Sequence, residues 1–120
     1  MIHEVKKIAA QGDVLFRRVK KLPEGVVERE AKGRIVVAHS ETGHDHAIDD
    51  MQGVHFYGVP NDPMVCYLML DGGVAADVVH HRPFDTHETL RLLGLTKGKA
   101  CWEIRRQREY TPQGWRRVED

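Results

Sequence analysis

This chain has little sulfur, no long apolar run and no net charge, and each lack narrows the field. Two cysteines occur in 120 residues, Cys66 and Cys101, far apart and each inside an apolar segment. They form neither a CxxC pair nor a disulfide framework, so both are expected to be buried free thiols in surroundings that disfavour a reactive thiolate. No stretch approaches the roughly 18 consecutive apolar residues that span a bilayer. The segment from Met1 to Lys7 lacks the apolar centre of a signal peptide, so the expectation is a cytoplasmic protein with no membrane partner. Lys plus Arg equals Asp plus Glu at 18 each, which gives no electrostatic argument for nucleic acid or membrane. Gly12, Gly43 and Gly72-Gly73 do not have the spacing of a GxGxxG or Walker loop, and no Ser- or Cys-centred nucleophile stands out.

With 41% hydrophobic and 30% charged residues, the composition is that of an ordinary globular protein, and the length suits a single domain over 1–120 with a modest core. Apolar runs read as strands at Asp13 to Val19, Arg34 to Ser40, Val54 to Val59, Met64 to Leu70, Val74 to His81 and Lys99 to Tyr110. Leu22-Pro23-Glu24-Gly25, Pro60-Asn61-Asp62-Pro63 and Thr111-Pro112-Gln113-Gly114 read as turns, and the charged segment before Gly33 as loop. Asp71-Gly72-Gly73 between two β-rich runs predicts a hairpin. Thr86 to Leu93 suits either a short helix or a strand. Many short strands with Gly/Pro punctuation predict an all-β fold, a small barrel or sandwich with at most one short helix.

The most informative residues are histidines, of which there are eight. In His44-Asp45-His46 two imidazoles stand one residue apart, so on an extended backbone both project to one face. Neutral imidazole is among the commonest ligands of divalent transition metals. On the second strand of the expected hairpin, Ala76, Val78 and His80 share the more apolar face, which makes His80 the interior imidazole. The candidate metal ligands are therefore His44, His46, His80 and His87, with zinc first and iron or manganese as alternatives. Asp45, Asp50 and Glu88 are the candidate catalytic carboxylates, as acid–base groups or partners of the ligands. The plainer reading is that the pair hydrogen-bonds in a polar loop and that Asp85 or Thr86 caps a short helix ahead of His87.

The run Arg105-Arg106-Gln107-Arg108 is the second candidate. Arg106 and Arg108 share a strand face and could contact an anion, or nucleic acid with Tyr110 and Trp115 as stacking groups. With zero net charge, a solvated edge paired with Glu103, Glu109 and Glu119 is the reading favoured over nucleic acid.

Three pieces, Gln11-Gly12-Asp13-Val14-Leu15, Thr42-Gly43-His44-Asp45-His46 and Gln107-Arg108-Glu109-Tyr110, resemble a small family of phage and bacterial proteins to which no activity attaches. That resemblance covers most of the chain, and the family's recurring histidines correspond to His44, His46 and His87. The histidine pair with a later histidine also looks like the metal motif of cupins, which are small β-barrels. The resemblance implies Asp50 at the acidic position and His80 or His87 at the last, although the cupin glycine before the pair and Pro-Gly before the final histidine are absent. The expectation is a small metal-binding β domain, as a hydrolase or lyase acting on a small molecule with activated water. The alternatives are a non-catalytic phage accessory or assembly module, homo-oligomeric and with a structural metal or none, and a nucleic-acid-binding domain using the C-terminal arginines.

Overall fold

The structure, a computed structural model, describes residues 2–39, 45–81, 88–106, 108–111 and 114–117. It is a β-sandwich. One sheet has five strands in the order β1 (Ile2–Val5), β10 (Thr89–Leu92), β9 (Ala76–His81), β6 (Asp45–Ile48) and β5 (Ile35–Ala38). The other has six, in the order β2 (Ile8–Gln11), β3 (Val14–Val19), β11 (Ala100–Arg106), β8 (Asp62–Leu70), β7 (Val54–Val59) and β4 (Val27–Arg29). A separate ribbon pairs β12 (Arg108–Thr111) with β13 (Gly114–Arg117). Neighbours run antiparallel except β1 and β10, which run parallel. No helix occurs among the described residues, and none is therefore long and apolar enough to cross a membrane.

The alternation that marks these strands in the sequence also builds the core. Val14 and Phe16 on β3, Leu68 and Leu70 on β8, and Trp102 and Ile104 on β11 face Ile35, Ile48, Val78, Leu90 and Leu92 of the opposite sheet. Trp102 lies wholly buried, and its indole N–H donates to the Leu93 carbonyl at 3.2 Å. Both thiols are free and buried.

One expected pairing is absent. The runs on either side of Asp71-Gly72-Gly73 do not form a hairpin: β8 pairs with β7 and β11, while β9 pairs with β6 and β10. The glycines instead carry the chain from one sheet to the other, with the Gly73 N–H donating to the Leu95 carbonyl at 2.7 Å. The reason lies in β8, whose residues Met64 to Leu68 are buried on both faces. A strand covered on both sides belongs in a sheet centre, where other strands already occupy both its edges. The ambiguous segment resolves as strand β10, since its Leu90 and Leu92 both fall on the core face.

Two local devices shape one end of the sandwich. Gly12 and Asp13 form a two-residue turn between β2 and β3, where Gln11 pairs with Val14. Gly12 has φ of 60° and Asp13 is not left-handed, the pattern of a type II′ hairpin turn. On β5, the register shifts between Val36 and Ala38, so Val37 is an extra residue opposite β6. Its carbonyl accepts the Cys66 thiol at 3.3 Å.

Candidate functional site

A turn tip usually faces water, and Gly12 of the β2–β3 turn does, yet Asp13 beside it is only 2% exposed. It meets the end of β11, where Arg106 is opposite Val14 in register. The Arg106 guanidinium donates to Asp13 Oδ2 at 3.3 Å, and both side chains are buried. This placement differs from the anion-contacting role expected of Arg106. The alternation that places Ala100, Trp102 and Ile104 inside carries on to Arg106, whose charge is matched by a buried carboxylate.

The opposite sheet brings the histidines. β6 and β9 pair His46 with His80 directly, so the two imidazoles leave neighbouring strands on the same inner face. They stack with centroids 4.0 Å apart and planes within 8°. His46 is fully buried and His80 nearly so.

Gln11 joins the two sheets. Its amide nitrogen donates to the carbonyl oxygens of Val78 at 3.0 Å and Glu88 at 2.7 Å. Both amide hydrogens are thereby committed, so Oε1, 2.9 Å from His46 Nδ1, has to be an acceptor. His46 therefore carries a proton on Nδ1, an assignment that follows from the hydrogen-bond network. In the neutral ring the lone pair is then on Nε2, which faces Asp13 Oδ1 at 3.9 Å. The acceptor nitrogen and the carboxylate are close enough for one cation to bridge them.

The other expected residues are distributed as follows. Asp45, at the start of β6, is partly buried and lies 3.3 Å from Nδ1 of the exposed His39. Asp50 lies four residues beyond His46, roughly 13 Å along an extended chain, and it caps the Gln52 N–H at 3.2 Å. It is exposed and is not brought to the histidines. Glu88 contributes its backbone carbonyl to Gln11, with an exposed side chain. His44 and His87 lie outside the described residues, and the Arg108 side chain is likewise outside the description. Among the described residues, no group of three His, Cys, Asp or Glu side chains is arranged to hold a metal ion.

Sequence reasoning did not assign a role to Gln11 or Asp13. The available signal was two polar residues two apart around a turn glycine, immediately before the buried run from Val14. Beside the cluster, a groove of about 480 Å³ opens between β5 and the β7–β8 hairpin, lined by Val36, His39, Phe56, Asp62, Cys66 and Arg106. Arg106 thus borders the groove and holds Asp13.

The profile of a protein family described as a domain of unknown function, DUF8820, matches residues 10–107, a span that contains Gln11, Asp13, His46, His80 and Arg106. No curated protein and no solved structure matches the chain.

Proposed function

We propose that this chain, which belongs to that family of unknown function, is a small metal-binding β-sandwich domain with His46 as its anchored ligand. The observation that carries the reading is the Gln11 amide, which holds the proton on Nδ1 and turns Nε2 toward Asp13. Metal-bound imidazoles usually donate their second N–H to an oxygen in this way, which orients the ring and raises its basicity. Asp13 supplies an oxygen ligand, and His44 and His87, outside the described residues, complete the donor set in this reading.

His80 is a positioning residue here. Imidazole lone pairs lie in the ring plane, and two parallel rings stacked 4.0 Å apart do not direct them to one ion. Mixed nitrogen and carboxylate donors suit zinc, with iron and manganese following. A metal held by these residues would supply an activated water, the chemistry that hydrolysis or a lyase-type elimination needs. Arg106 would hold the Asp13 carboxylate in place, and the adjoining groove offers a small substrate a route to the guanidinium.

The test is elemental analysis of protein purified without a histidine tag, alongside His46→Ala and Asp13→Asn. Stoichiometric metal in the parent chain and its loss from both variants are expected. Metal-free protein with no change in melting temperature on adding zinc, iron or manganese overturns the reading. That result would favour a non-catalytic module, because the near-complete burial of Gln11, Asp13 and His46 also suits a polar staple between the sheets.

A further inference from the structure

We infer that the end of the six-stranded sheet farthest along β3 from Asp13 binds the backbone of a single-stranded nucleic acid. There β2 begins, β3 ends and β11 begins, and a groove of about 460 Å³ is lined by Lys7, Arg17, Arg18, Lys20 and Lys99 with no acidic residue in its wall. The folding of the chain concentrates these charges. Ile8 pairs with Arg17, and the Arg18 N–H donates to the Lys7 carbonyl at 2.7 Å, which sets Lys7 opposite Arg18. Cys101 pairs with Val19, so the next residues along, Lys20 on one strand and Ala100 and Lys99 on the other, fall side by side.

Among the described residues, only Arg17 of these five has an ion pair, with Glu103 at 3.1 Å. Lys7, Arg18, Lys20 and Lys99 have none. Like charges on facing strand positions repel and destabilise the sheet. Four uncompensated cations around one concavity, in a chain whose charges sum to zero, form a local positive field that an anion relieves. Net charge, the quantity available from composition, averages this segregation away.

Shape and lining select the class of anion. The cations are long side chains around a hollow, and none of the buried polar or charged side chains among the described residues lines it to orient a small ligand. The lining also has an apolar part, in which Ile8 and Leu95 are exposed. A single strand can place its phosphates against the lysines and its sugars and bases against these apolar side chains. The lining contains no aromatic residue on which bases could stack, so binding should be indifferent to sequence.

Fluorescence anisotropy with a labelled single-stranded oligonucleotide of roughly 20 nucleotides tests this on the full chain. Four phosphate contacts predict a log–log salt slope of about −2.8, or roughly 50-fold weaker binding at about 200 mM than at about 50 mM salt. Lys7→Glu with Lys20→Glu, both at exposed positions, should weaken binding at least about tenfold and halve the slope. Lys32→Glu with Arg34→Glu, exposed on the β4–β5 connection, should leave both unchanged. Melting temperatures of the two double variants separate lost binding from lost folding. The inference is overturned by no binding at about 50 mM salt, by equal losses in the two variants, or by binding to phosphatidylserine vesicles in place of the oligonucleotide.

Discussion

At the scale of single residues, the buried polar cluster is organised by partners that fix one another's chemistry. Gln11 is held by two carbonyls, so its remaining oxygen sets the His46 tautomer, and the imidazole then faces a carboxylate that Arg106 holds from the other side. Groups this deeply buried cannot exchange a lost partner for water. Arg106→Ala would take from the buried Asp13 carboxylate the guanidinium that pairs with it. Urea denaturation should show a loss of about 3–5 kcal/mol, well above the effect of truncating the exposed Arg34. A loss under about 1 kcal/mol would mean that the pair is solvated in solution and contributes little. Grouping Arg106 with its basic neighbours hid its buried partner Asp13. The arginine's position in the alternation after Trp102 and Ile104 was the better guide.

At the scale of elements, turns and crossovers decide which side chains meet. The type II′ turn at Gly12-Asp13 folds β2 onto β3 and directs Asp13 inward, while the extra residue at Val37 adjusts β5 beside the Ala38–His46 pair. The crossover after Asp71 is packed tightly against the loop that follows β10. A Cβ at Gly94 would collide with the Val74 carbonyl oxygen, which belongs to backbone and cannot swing aside. Gly94→Ala should therefore destabilise the protein by about 2–3 kcal/mol in thermal or chemical unfolding. The same substitution at Gly25, where an added Cβ meets nothing but φ is +85°, carries the conformational strain alone, about 1–2 kcal/mol. A loss under about 0.5 kcal/mol at Gly94 would show that crossover packing is unimportant.

At the scale of the whole molecule, charge placement sets the response to pH. On the outer face of the six-stranded sheet, Glu103 accepts hydrogen bonds from Tyr67 at 2.9 Å and Arg105 at 3.1 Å, and it pairs with Arg17 at 3.1 Å. Burial pushes its carboxyl up, but the hydrogen bonds from Arg105 and Tyr67 and the two guanidinium charges outweigh it, and the group sits below its ordinary value of 4.5. A depressed carboxyl stabilises the fold above its unfolded value, and that contribution disappears as pH falls through the folded one. The melting temperature of the parent chain should fall more steeply between roughly pH 5 and pH 3 than that of Glu103→Gln. Parallel curves would show that Glu103 does not drive acid unfolding.

Much of this architecture is written in local pattern. Alternation and turn chemistry suffice for Val14–Val19, Ile35–Ala38, Val54–Val59 and Ala100–Arg106 as strands, for the inward face of His80, and for an all-β fold with no membrane-spanning helix among the described residues. These properties depend on residues a few positions apart, where the chain itself sets the geometry. Strand partnership does not. The Gly72-Gly73 segment has hairpin chemistry, yet the flanking strands joined different sheets because burying β8 on both faces lowered the free energy more than a local pairing could. For the same reason the pairing of His46 with His80, the inward turn of Asp13 toward Arg106, and the gathering of Lys7, Lys20 and Lys99 were decided by packing. Each joins residues tens of positions apart, and only the closing of one sheet over the other brings them within reach.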